Sequence, residues 1–331
     1  MNQPTPMMEP AAEPTTPTFD PINLGYTAVF QPNRLTVGLV VPIERYPNGP
    51  APTMAHHLNR VQRAEELGFT AVWLRDVPFN VPSFGDAGQL YDPFVYLGLL
   101  AGQTDRIALG VASVILPLRH PAHVAKAAAS ADVLSGGRLI LGVASGDRPE
   151  EYPALDLPYT ERGARFRASF EYIRRMGDVG AGFSNMYGSP GYGMDMLPKP
   201  CGERLPMLIT GGSQQHPDWI ARHGDGWMIY PRAASAQAHI IDAWRTRIRA
   251  AGGRDKPAMQ PLYIDLLEDP QAQATPIHLG LRLGTATLRS HLKRLCAAGV
   301  NHVALNLRFN RAPIETTLER LANDVLPALH H

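Results

Sequence analysis

Cysteine is nearly absent: Cys201 and Cys296 are the only two among 331 residues. Two thiols cannot build a disulfide framework or a cysteine-rich zinc site. Charge is sparse as well. Charged residues make up 18% of the chain, and 31 Lys plus Arg face 30 Asp plus Glu, a formal net charge of +1. Nucleic acids and anionic membranes call for a concentrated basic surface, so neither is an expected partner. No apolar run reaches the ~18 residues of a membrane span. No Lys or Arg precedes Arg34, which leaves neither a basic signal-peptide region nor an arginine-rich transit peptide. A cytoplasmic protein is expected. Residues 1–21 carry six prolines and few groups that could pack, so residues 1–33 read as a disordered or extended tail ahead of one domain spanning 34–331.

Several functional signatures are missing too. There is no G-x-G-x-x-G, no G-x-x-x-x-G-K-[ST], no H-E-x-x-H and no G-x-S-x-G. His56 and His57 are adjacent on a predicted helix, where neighbours point about 100° apart and cannot chelate one ion. No metal site is expected.

What is present is alternation. Apolar strand-like runs at 35–41, 71–74, 107–111, 139–143, 207–210, 226–229, 262–266 and 303–307 are each followed by a helical pattern. Such near-continuous runs suit strands buried on both faces. Eight strand–helix units exceed the usual doubly wound sheet and predict a (β/α)₈ TIM barrel with long loops at its C-terminal face. In such a barrel the chemistry sits at the carboxyl ends of the strands. The longest loops there, 76–92, 145–160 and the 177–204 region, are the expected lids or binding loops.

Three small-residue clusters mark that face. Thr210-Gly211-Gly212-Ser213 ends strand five and is read as the start of its helix, an arrangement suited to an anion, or equally an ordinary cap. Gly142-Val143-Ala144-Ser145-Gly146 and Gly110-Val111-Ala112-Ser113 leave room for a flat ligand across the mouth, or reflect tight barrel packing. Asp76 ends strand two as a candidate acid or base, with a salt bridge to Arg119 as the alternative. His120 is a candidate catalytic group or a structural hydrogen bonder. Ser135-Gly136-Gly137-Arg138 falls on the opposite, stability face.

Taken together, the runs Asp92-Pro93, Thr104 to Gly110, Leu116-Pro117-Leu118-Arg119-His120-Pro121, Asp132 to Leu139 and Leu141-Gly142-Val143-Ala144-Ser145-Gly146 resemble the luciferase-like flavin-dependent oxidoreductases. Gly68 to Trp73, Gly224-Asp225-Gly226-Trp227 and Gly299-Val300-Asn301-His302 fit the same pattern, so the resemblance covers roughly residues 34–325. It implies a barrel that binds FMN, or in one branch a deazaflavin coenzyme, at its carboxyl mouth. The implied activity is a monooxygenase that uses reduced FMN and dioxygen to oxidise a small organic substrate. A deazaflavin-dependent hydride-transfer oxidoreductase, with Arg148, Arg162 and Arg165 as candidates for the coenzyme's longer tail, and a flavin-binding protein without turnover are the alternatives. A separate flavin reductase and a homo-oligomer are possible partners.

By the same resemblance Pro42, Ala112, Ser113, Ser145, Gly146, Gly211, Gly212 and Ser213 are coenzyme-binding positions, and Asp76 and His120 catalytic ones. A non-proline cis peptide between Ala112 and Ser113 is also implied. Bacterial luciferases carry a histidine base just beyond strand two, where this chain has Val77-Pro78, and a reactive cysteine where it has Ala144. Light emission is therefore not expected.

Overall fold

A computed structural model describes residues 19–180, 182–191 and 193–329. Eight parallel strands close into the predicted barrel: β1 (Thr36–Val40), β2 (Ala71–Leu74), β3 (Ala108–Ile115), β4 (Leu139–Ala144), β5 (Met207–Thr210), β6 (Gly226–Met228), β7 (Ala258–Leu266) and, last in the chain, β10 (Val300–Asn306). Closure runs through β10, which pairs with β1 on one side and β7 on the other. Every residue of β1, β2 and β10 is buried, which is why these strands read as unbroken apolar runs.

The helices form the outer ring: α2 (His57–Glu66), α3 (Pro93–Ala101), α4 (Pro121–Leu134), α5 (Arg162–Gly177), α6 (Pro217–His223), α7 (Ala234–Ala250), α8 (Thr285–Ala297) and α9 (Ile314–Asp324). Local chemistry sets their ends. Asp92 caps α3 by accepting from the amides of Phe94 and Val95 at 2.9 and 3.2 Å, with Pro93 in the first helical position, where its missing N–H costs nothing.

Two features were not foreseen. Residues read as a loop after the seventh strand contain a hairpin, β8 (Thr275–Ile277) and β9 (Gly280–Leu283). Its second strand runs parallel to the last four residues of β7, above the point where β6 ends. The second concerns the expected tail. Residues 1–18 lie outside the described residues, but residues 24–29 form helix α1 (Leu24–Val29), and Ile22, Tyr26, Val29 and Phe30 are buried.

Those four side chains join Trp73, Ile140, Leu208, Met228 and Met259 in one apolar cluster, the interior of the barrel. Helix α1 therefore closes the barrel floor. Asn23 fixes it there by donating to Asp132 Oδ1 (3.0 Å) and to the Leu139 carbonyl (2.8 Å), while Tyr26 donates to the Asp225 carbonyl (2.6 Å). The proline-rich composition hid these apolar residues, which follow Pro21.

Glycine makes the interior possible. A Cβ on Gly110 would lie 2.3 Å from the Trp73 ring, and one on Gly142 would lie 2.3 Å from the Val111 carbonyl and 2.7 Å from Met228 Sδ. The small residues read as room for a flat ligand are, at these two positions, room for the barrel's own large side chains. Arg138 holds the opposite face as expected, donating to the carbonyls of Ala101, Thr104, Ser135 and Ile107 and to the Thr104 hydroxyl.

Candidate active site

At the carboxyl ends of β3 and β5, two hydroxyls meet. Ser113 Oγ and Thr210 Oγ1 are hydrogen-bonded, and Met228 at the end of β6 places its sulfur 3.7 Å from the first and 3.2 Å from the second. The peptide between Ala112 and Ser113 is cis, as the resemblance implied, and the β3–β4 ladder is irregular across these residues. Val41–Pro42 at the end of β1 is also cis.

The chain then turns away from Thr210 through left-handed backbone at Gly211 (φ 54°), Ser213 (φ 42°) and Gln214 (φ 58°). Helix α6 does not start at Ser213, as the sequence predicted, but at Pro217, capped by His216. The turn is thus not a helix N-terminus, and any anion site here belongs to the backbone concavity that changes of hand produce. The Ser213 hydroxyl is also committed, donating to the Thr210 carbonyl at 2.7 Å.

The first turn of α5 packs onto this segment. Gln215 Nε2 donates to the Gly163 carbonyl (2.8 Å) and accepts at Oε1 from Arg167 Nε (2.9 Å). On either side of Gly163, Arg162 lies over the Tyr159 ring and Arg165 over the Tyr187 ring, and the Nε of each is buried without a hydrogen-bond partner. Unpartnered guanidinium nitrogens are costly when buried and are the kind of group an anionic ligand satisfies. The donor set therefore fits a phosphate.

Asp76 is placed differently. Both of its oxygens are engaged: Arg119 Nη2 donates to Oδ1 at 2.7 Å, and Arg119 Nε and the Ile115 amide donate to Oδ2 at 2.9 and 3.1 Å. That geometry matches the salt-bridge alternative rather than a free acid or base. His120 is exposed and caps α4, its Nδ1 accepting from the Ala122 amide at 3.2 Å. Neither joins the Ser113–Thr210 group. Ser145 is buried and its carbonyl accepts from the Tyr152 hydroxyl; Gly146 (φ 77°) follows it with no room for a Cβ, which would lie 2.8 Å from Ile115.

Sequence reasoning passed over a buried carboxyl with an unpartnered oxygen. Glu151, in the loop after β4, is buried with Oε1 unpartnered, and its nearest cation, Arg148 Nη1, stands 3.9 Å away and is itself unpartnered. Burial pushes the Glu151 carboxyl up to about 7, with Arg148 opposing the shift. Only the Glu150-Glu151 repeat after Pro149 hinted at it. Met228 was missed as well, and Thr210 was read only as the first residue of the small-residue run that ends β5.

The profile of the family described as luciferase-like monooxygenase matches residues 35–276. An uncharacterised protein of Mycobacterium tuberculosis is 32% identical over 215 residues, covering 60% of this chain and 73% of that protein. The F420-dependent hydroxymycolic acid dehydrogenase of the same organism is 29% identical over 237 residues, 69% of this chain and 61% of its own length. Among solved structures, the monooxygenase RslO1 from Streptomyces bottropensis superposes with a TM-score of 0.73 at 19% identity, over 88% of this chain and 99% of that one. An F420-dependent secondary alcohol dehydrogenase gives 0.73 at 17% identity, over 89% and 99%. At such identities the two structures speak for the fold alone, but the family match spans most of the barrel. The chain belongs to the luciferase-like monooxygenase family.

Proposed function

We propose that this protein is an oxidoreductase that acts on a small organic substrate with reduced FMN and dioxygen, the coenzyme lying across the carboxyl mouth of the barrel. The observation that carries the reading is the convergence at β5. A hydroxyl pair, Ser113 and Thr210, lies at the mouth, and a left-handed turn follows directly, beside Arg162 and Arg165, each of which has an unpartnered Nε. In this reading the turn and the arginines hold the phosphate, Ala112 and Ser113 support the ring, and the loops after β2 and β4 exclude water. When bound, the coenzyme supplies the redox chemistry and the protein supplies position. The lack of a dinucleotide fingerprint fits reduction of the flavin by a separate reductase.

A second reading, hydride transfer with a deazaflavin coenzyme, is favoured by a specific observation. Arg162, Arg165 and Arg167 all fall within the first two turns of α5, more cation than one phosphate needs. A relative with a named activity is F420-dependent. Anaerobic titration with FMN, reduced FMN and F420, followed by coenzyme absorbance, tests both. Saturable binding of reduced FMN with dioxygen-dependent substrate oxidation supports the first. Preference for F420 moves the assignment to the second, and binding of none of the three overturns both.

A further inference from the structure

The loop after β2 returns across the mouth and is knotted there by one carboxylate. Asp86 Oδ2 accepts from Arg75 Nη1 at 2.6 Å and forms an ion pair with Arg308 Nη1 at 2.9 Å, while its Oδ1 accepts from the Gly88 amide (2.9 Å) and the Tyr46 hydroxyl (3.3 Å). Arg308, in the loop after β10, spends its other donors on the carbonyls of Tyr46, Gly49 and Gly85. Two guanidinium groups thus share one carboxylate, and one of them is fully used.

Arg75 is not. Its Nε and Nη2 have no hydrogen-bond partner among the described residues, and its side chain keeps 18% exposure. Nε and Nη2 form the long edge of the guanidinium, the edge that takes a planar oxyanion with two parallel hydrogen bonds. The group is also pre-positioned. The Arg75 amide donates to Gln89 Oε1 at 2.7 Å, and the Gly88 backbone passes so close that a Cβ there would lie 3.3 Å from Arg75 Cδ and Nε. Its charge is felt by phenols from three other parts of the rim, Tyr46 after β1, Tyr230 after β6 and Tyr263 on β7, each of which burial pushes up and Arg75 pulls back. It also opposes the charge of Arg148 in the loop after β4. A cation with one nitrogen tied to Asp86 and its Nε–Nη2 edge unpartnered thus stands among residues from several strand ends.

We propose that Arg75 anchors the substrate, and that the substrate carries a carboxylate bound side-on by the Nε–Nη2 edge. This rests on the reading above only in taking the mouth as the substrate site. Arg75, Arg148 and Arg308 face Asp86, exposed Asp147 and buried Glu151, three cations against three acids, and the Glu151 carboxyl, raised to about 7 by burial, leaves the balance positive below that pH. Lysine cannot replace the planar fork.

The test is isothermal titration of the full-length protein, with and without coenzyme, using benzoate, phenylacetate, their methyl esters and phenyl phosphate. At least one acid should bind about tenfold or more tightly than its ester. Arg75→Lys, which keeps a cation for Asp86, should remove that preference without weakening ester or coenzyme binding. No acid binding, equal binding of acid and ester, tighter binding of phenyl phosphate, or an unchanged preference in Arg75→Lys each overturns the proposal. The acid-to-ester ratio of the unmodified protein keeps the test decisive should Arg75→Lys fold poorly. Failure of every coenzyme to bind, with the acid preference intact, sinks the coenzyme assignment and leaves this one standing.

Discussion

Asp76 and Arg119 are joined side-on, through two parallel hydrogen bonds of 2.7 and 2.9 Å, and the same guanidinium reaches Asp92 Oδ2 at 2.8 Å. One arginine thus ties the end of β2 to the turn after β3 and to the cap of α3. The Asp76 side chain is 2% exposed, so removing its charge leaves the half-buried Arg119 guanidinium with Asp92 as its one remaining carboxylate. Asp76→Asn should lower stability by about 2–4 kcal/mol, read from urea denaturation, with coenzyme affinity unchanged. An unshifted midpoint with lost turnover would restore Asp76 as the reacting carboxyl.

The barrel was legible in the sequence because its signal is repeated: each strand is apolar on both faces and each helix shows its own period. Gly110 shows where such reading stops. A glycine at a strand end is compatible with a ligand approaching or with a neighbour packing, and only the position of the Trp73 ring decides for packing. The turn at 211–214 failed for a related reason. Ser213 resembles a helix cap in sequence, yet its left-handed backbone delays the helix to Pro217. Arg75 and Asp86 could not be connected at all, because their pairing depends on how a long loop returns over the mouth.

Beneath the mouth, His302 is fully buried between Trp73, whose Nε1 donates to Nε2 at 2.8 Å, and Thr36, whose hydroxyl accepts from Nδ1 at 2.7 Å and donates to the Val29 carbonyl. Both ring nitrogens are spoken for in the neutral form, and burial lowers the imidazole to about 3. The unfolded chain takes up this proton near 6.5 and the folded chain does not, so stability falls as pH drops below about 6.5, on the order of 1.4 kcal/mol per unit. Between pH 6.5 and 5 the unmodified protein should lose roughly 2 kcal/mol more than His302→Gln. Parallel pH profiles for the two would assign the acid sensitivity elsewhere.

Glu151 should act with the opposite sign. Its folded-state carboxyl is raised to about 7, so the folded chain binds the proton more tightly than the unfolded one. Its stabilising effect is complete at low pH and is lost as pH rises from about 4.5 through 7. Glu151→Gln mimics the protonated form. The variant should match the unmodified protein near pH 4.5 and exceed it at pH 8 by up to about 3 kcal/mol in chemical denaturation. A variant destabilised at pH 8 but not at pH 4.5 would mean that Glu151 holds a charged partner when folded.

Ser213→Asp probes the turn where a coenzyme phosphate is proposed. Aspartate tolerates the left-handed backbone that Ser213 adopts at φ 42°, so the chain path need not change. The serine hydroxyl donates to the Thr210 carbonyl, and a carboxylate cannot do so and is turned away from that oxygen. It then stands beside the proposed phosphate, setting like charge against like charge where Arg162 and Arg165 offer unpartnered donors. Coenzyme affinity should fall about tenfold or more, equivalent to about 1.4 kcal/mol. Ser213→Asn shares the backbone preference, keeps a donor and adds no charge, so it should bind within about threefold of the unmodified protein. Thermal midpoints measured for both variants separate lost binding from lost folding. If Ser213→Asp binds the coenzyme as tightly as Ser213→Asn, the phosphate lies elsewhere on the rim.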